Sequence, residues 1–141
     1  MILFCDTSAL VKLYVSEDGS AVMQSAATAA TTMAVCRVAW AEAMAALARR
    51  AREVPADGQL IDQVRSRMRA EWPSFLVVEI TQPLVELAAD YADAFALRGY
   101  DSIQLAAART LHAANVDVVQ FAVFDERLRK AAQILGITTT G

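Results

Sequence analysis

Short apolar runs alternate with helical periodicities along the whole chain. Residues 1 to 6 read as a buried strand closing at Asp6, and Leu10, Val11 and Tyr14 then recur at helical spacing. That pattern predicts a helix from Thr7 to Val15, ended by Ser16-Glu17-Asp18-Gly19. A short helix from Ser20 to Ala30 leads to a second strand at Thr32–Cys36, and a long helix is expected from Arg37 to about Arg52. After the turn Pro55-Ala56-Asp57-Gly58, Leu60, Val64, Met68 and Trp72 recur every four residues beside Ile61. They give the next helix one apolar face, and Pro73 ends it. These two helices are expected to form a hairpin. Phe75–Ile80 reads as the third strand, Pro83 to Leu97 as a helix, Gly99 as a break, and Asp101 as the opening of another helix. Val118–Phe124 forms a strand leading into Asp125. The last helix runs through Leu135 with Gly136 as its C-cap, and Ile137 to Thr140 are expected to add an edge strand.

Strands alternating with helices imply right-handed crossovers and a parallel sheet covered on both faces. Ligands of such sheets bind beyond the carboxyl ends of the strands, near the point where strand order reverses, and Asp6 and Asp125 are placed at such ends. No internal repeat, low-complexity tract or linker divides residues 1–141, so a single domain is expected.

Composition narrows the class. The 56% hydrophobic content is rich in alanine, and no stretch approaches the ~18 to 20 apolar residues that a membrane span needs. Met1 leads directly into a strand, with no export signal, so a cytoplasmic location is expected. Cys5 and Cys36 lie in apolar runs and read as buried small hydrophobes. A net charge of −3 argues against holding nucleic acid by bulk attraction, although bound divalent cations would reverse the local field. No phosphate loop is recognisable, and His112 stands mid-helix with no nucleophile elbow, which argues against a triad hydrolase.

Four acids stand out: Asp6, Glu42, Asp101 and Asp125. Each aspartate alone is explicable as a helix cap, and Asp101 with Gln104 three residues on resembles a capping box. Glu42 is different. It is the only charge in Val38–Ala48, and an ionised carboxylate in a buried helix needs a cationic partner. Carboxylates gathered at ~4 Å repel by about 4 kcal/mol per pair at an effective dielectric near 20. A shared site therefore calls for a cation, and oxygen-only ligands select Mg²⁺ or Mn²⁺. The arginines at 49, 50, 52, 65, 67 and 69 read first as a solvated helix face and second as RNA contacts.

The opening DTSALVKLY, the Glu42 helix, LRGYDSIQLAAA and the closing FDERLRKAA together resemble PIN domains, most closely the VapC toxins of toxin–antitoxin modules. The resemblance runs the whole length. It implies a PIN-like three-layer α/β/α sandwich around a parallel sheet of four to five strands. It also implies a Mg²⁺- or Mn²⁺-dependent endoribonuclease acting on RNA, a homodimer, and a VapB-type antitoxin that wraps the helical hairpin. Asp6, Glu42, Asp101 and Asp125 match the family's acidic quartet of metal ligands and catalytic residues. Gln104 stands where the family often has histidine, and Val123 where it often has threonine or serine. Two other readings compete: a non-catalytic PIN-like interaction module, and a phosphoryl-transfer domain. The second lacks its motifs, because Asp6 is followed by Thr7-Ser8 rather than by a second acid at the needed position.

Overall fold

The computed structural model describes residues 1–114 and 117–141. Strands β1 (Ile2–Cys5), β2 (Thr32–Cys36), β3 (Leu76–Val78), β4 (Val119–Ala122) and β5 (Thr138–Thr140) form one parallel sheet in the order β3-β2-β1-β4-β5. Helices α1 (Thr7–Val11), α2 (Ser20–Ala29), α3 (Ala39–Glu53), α4 (Gly58–Glu71), α5 (Gln82–Phe95), α6 (Gly99–Ala114) and α7 (Glu126–Ile134) connect them.

The strand order explains the layering. From β1 the chain moves outward through β2 to β3, then crosses to the other side of β1 for β4 and β5. Right-handed crossovers that travel in opposite directions lay their helices on opposite faces. Accordingly α1 to α4 cover one face and α5 to α7 the other, giving a three-layer α/β/α sandwich. Strand side chains alternate between the two layers. Ile2 and Phe4 join Ala34 and Phe121 beneath α5 to α7, and Leu3 and Cys5 join Val35 and Ala122 beneath α1 to α4. Phe4 and Phe121 meet edge to face with centroids 5.5 Å apart. Cys5 and Cys36 are buried free thiols.

Several expected boundaries shift for physical reasons. Arg37 and Val38 form a turn, so α3 begins at Ala39 and Glu42 sits in its first turn. That helix is also not wholly buried: Ala41, Ala45 and Ala46 face solvent, because alanine marks helix propensity as readily as burial. The helix expected to open at Asp101 begins two residues earlier, at Gly99. The apolar stripe on α4 runs through Ile61, Val64 and Met68, all buried in this chain's own core, while Leu60 is 50% exposed. Val64 and Met68 are therefore spent on this chain's own core. Helix α5 ends at Ala96, whose left-handed φ of 53° costs an L-residue about 1 kcal/mol and swings the chain toward α6. At the end of α7 the same handedness falls on Gly136 (φ 77°), where it carries no steric cost.

Truncating Phe121 to alanine in this close-packed layer is expected to cost about 3 to 5 kcal/mol in urea unfolding. Leu60→Ala is expected to change stability by less than about 0.5 kcal/mol. Comparable losses for the two variants would contradict the assigned core.

Candidate active site

Strand order reverses beside β1, and the residues following β1 and β4 meet there. The ladder continues one step past β1, with the Asp6 N–H donating to Ala122 O at 3.1 Å. Asp6 is 8% exposed. Its Oδ2 accepts from the Ser8 hydroxyl at 2.9 Å. Burial pushes the carboxyl up from 3.8 to about 6, against the Ser8 and Thr7 hydrogen bonds that favour its charged form. The negative charges of Asp101 and Glu42 add smaller upward contributions. Desolvation rather than crowding is thus the chief reason this acid resists ionising.

Glu42 is held by two elements distant in sequence. Its Oε1 accepts from the Thr7 hydroxyl at 2.9 Å and from Gln104 Nε2 at 3.0 Å, and Gln104 Nε2 also reaches Thr7 Oγ1 at 3.0 Å. Within the chain, two neutral donors and partial exposure to solvent hold Glu42. Gln104 is 1% exposed and its Oε1 has no partner. It faces Glu42 rather than closing a capping box with Asp101. Asp101 instead pairs with Arg98 at 3.2 Å, a contact confined to the surface because Arg98 is 85% exposed.

Asp125 caps α7, its Oδ1 accepting from the Leu128 N–H at 2.9 Å. Val123 is fully buried in the apolar layer beneath α5 to α7, so its methyls serve packing.

Two depressions connect these acids. One, of about 690 Å³, is lined by Glu42, Arg98, Gly99, Tyr100, Asp101 and Ile103. The other, of about 320 Å³, lies between Asp101 and Asp125 and shares Arg98. Glu42, Asp101 and Asp125 therefore rim one continuous end of the sheet, with the Asp6 carboxylate buried within range of two of their charges. Among the described residues, no three acidic, histidine or cysteine side chains are gathered closely enough to hold an ion. Each of the four carboxylates is turned toward a neighbour in the chain. The donor chemistry nevertheless fits a hard divalent ion: carboxylates, the Thr7 and Ser8 hydroxyls and the unpartnered Gln104 carbonyl are all oxygen. Gln104 is the site neighbour whose role sequence spacing missed, since its contacts link α6 to Thr7 of α1 and Glu42 of α3.

A parallel α/β/α sandwich with acids at its switch point defines the class. The PIN domain model matches residues 3–134, and the chain belongs to that family. It is 32% identical over 136 residues to Ribonuclease VapC45 of Mycobacterium tuberculosis (strain CDC 1551 / Oshkosh), covering 96% of this chain and 92% of that protein. Its fold is similar to FitAcB from Neisseria gonorrhoeae, with a TM-score of 0.67, 15% identity, and coverage of 100% and 97% of the two chains. A toxin–antitoxin complex from Klebsiella pneumoniae contains a chain similar at TM-score 0.63 and 21% identity, over 89% and 87%.

The Asp6 shift has a consequence for stability. An acid whose folded pKa exceeds its unfolded value contributes stability that is present below the unfolded pKa and lost as pH rises through the folded one. In EDTA, Asp6 is expected to remove about 3 kcal/mol between about pH 4 and about pH 7. Urea unfolding of the native chain and Asp6→Asn isolates the effect, because the amide cannot ionise. Parallel pH profiles for the two proteins would show that Asp6 is not desolvated.

Proposed function

We propose that this chain is a Mg²⁺- or Mn²⁺-dependent endoribonuclease, the toxin of a type II toxin–antitoxin pair, cutting RNA by attack of activated water. One observation carries the reading. A PIN chain related along 96% of its length to a named ribonuclease sets its acidic residues around the switch point of its sheet. Asp6, Glu42 and Asp101 would be the principal ligands, directly or through water, and Asp125 would serve a weaker position. A hard divalent ion held there supplies positive charge at the scissile phosphate and lowers the pKa of water.

The chain's own groups set the geometry. Thr7 and Gln104 fix one oxygen of Glu42 and leave the other for the site, while Ser8 fixes one oxygen of Asp6. Arg98 stands at the mouth, held to Asp101 by an exposed pair of the kind that contributes little, and is free to turn toward a phosphate. The same reading brings an RNA substrate, a homodimer, a cytoplasmic location and a VapB-type antitoxin. Similarity to a chain of the Klebsiella toxin–antitoxin complex supports the last of these, and the antitoxin would bind away from the buried α4 stripe. No described helix is long and apolar enough to cross a membrane.

A second reading is a non-catalytic PIN-like interaction module. It is favoured by the hydrogen bonds and ion pair that already engage all four acids.

Cleavage of single-stranded RNA decides between them. The native chain is expected to cut with Mg²⁺ or Mn²⁺ and to stop in EDTA. Glu42→Gln is expected to lose at least about a hundredfold in rate while remaining folded. Attack by water rather than by the ribose 2′-hydroxyl leaves a 5′-phosphate and a 3′-hydroxyl. Cyclic phosphate ends, or full activity in the variant, would overturn the mechanism, and an inert native chain would favour the second reading.

A further inference from the structure

Both tryptophans of the chain lie together beside the start of α3, outside the acidic site. Trp40 and Trp72 meet edge to face with centroids 5.1 Å apart, and Phe75 continues the row 5.9 Å from Trp72. Trp72 and Phe75 pack against the core beneath α1 to α4, whereas Trp40 is not among the residues packed on either core cluster. Core packing therefore accounts for two of the three rings and leaves the third over. Around Trp40 opens a cleft of about 410 Å³, lined by Arg37, Trp40, Ala41, Arg69, Trp72 and Pro73. The Arg69 guanidinium lies over the Trp40 ring, 5.8 Å from its centroid. Among the described residues Arg69 has no carboxylate partner, and Arg37 shares one, Glu79, across an exposed pair.

We propose that this cleft is a stacking subsite for an unpaired RNA base, with Arg37 and Arg69 taking the flanking phosphates, a reading that rests on the ribonuclease assignment above. Flat indole surface bordered by guanidinium planes is how single-stranded RNA is held: every base has a face to stack, and the arginines bind the backbone without reading sequence. Position supports the same occupant. Arg37 directly follows β2, at the sheet end where Asp6 follows β1, and Trp40 precedes Glu42 by two residues on α3. Two residues along a helix turn about 200°, so Trp40 faces α4 while Glu42 faces Thr7 and Gln104. A strand leaving the acidic site across the first turn of α3 arrives at Arg37 and then at Trp40. An apolar helix from a protein partner fits less well, because it would cover two guanidinium groups with only one carboxylate nearby. For a chain of net charge −3, a local cationic and aromatic foothold also answers how a polyanion is held.

The two tryptophans make the subsite its own reporter. In EDTA, where nothing is cut, titration with a short oligoadenylate is expected to quench intrinsic fluorescence saturably and less strongly as salt rises. An abasic oligomer of the same length is expected to quench little, because it offers phosphates and no ring. Arg69→Gln, a surface change whose retained melting temperature is checked first, is expected to weaken RNA binding about tenfold. Trp40→Leu is expected to raise KM for RNA about tenfold with kcat within about twofold, since the ring contacts a base distant from the scissile bond. Equal quenching by the abasic oligomer, or unchanged KM in both variants while RNA is still cut, would overturn the subsite and leave the ribonuclease standing. Failure of the native, folded chain to cut or bind RNA would remove the ribonuclease reading and the subsite with it. A fluorescence change produced by a VapB-type antitoxin and not by oligoadenylate would make the patch a protein interface and end the proposal.

Discussion

A carboxylate buried at the end of the central parallel strand is the constraint around which the functional end of this protein is arranged. β1 is paired on both sides and covered on both faces, so the residue after Cys5 is delivered to the middle of the sheet edge. That residue is Asp6. Its burial raises the cost of its charge, and the surroundings answer with a Ser8 hydroxyl and a Thr7 N–H rather than with a lysine or arginine. A site that compensated Asp6 with a fixed cation would be satisfied and closed. Neutral donors leave the charge unneutralised, which suits a group whose partner arrives from solution.

The same logic governs Glu42. Thr7 from α1 and Gln104 from α6 converge on one of its oxygens, tying together helices from opposite layers of the sandwich around the β1 edge. Gln104 is buried with its carbonyl unpartnered, an arrangement that costs free energy and persists where the surrounding structure imposes it. Asp101 and Asp125 are each held by a contact that is readily exchanged: an ion pair open to water and a helix cap. Asp6 is therefore buried and Glu42 positioned by neutral donors, whereas Asp101 and Asp125 sit in exchangeable contacts.

Much of the fold is legible in the chain because its signals are local. Ile2–Cys5 and Thr32–Cys36 are apolar runs of strand length, Gly136 needs a left-handed φ, and Pro73 marks the end of the α4 pattern at nearly the observed place. Asp6 and Asp125 follow from the rule that parallel sheets work at their carboxyl ends. The errors share a cause: each needed knowledge of a neighbour far along the chain. Gln104 resembles a partner for Asp101 three residues away, yet it bonds Glu42 and Thr7, which lie 62 and 97 residues away. Glu42 draws notice as a charge in an apolar helix, but Ala41, Ala45 and Ala46 of that helix face water. The four-residue repeat on α4 carries a periodicity without a phase, so it groups Leu60 with Val64 and Met68 although only the latter two reach the core. The tryptophan cleft is invisible in sequence because Trp40 and Trp72 lie far apart along the chain and meet only when α3 and α4 pack.

The proposed function requires that the carboxylates at the β1 edge hold a hard cation. Calorimetric titration of Mn²⁺ into the native chain, Asp6→Asn and Glu42→Gln tests it without reference to any substrate. The expected result is saturable binding by the native chain, weakened at least about tenfold by either substitution, since each removes a charged oxygen ligand from the ion. Absence of binding to the folded native chain, or binding indifferent to both substitutions, would contradict it.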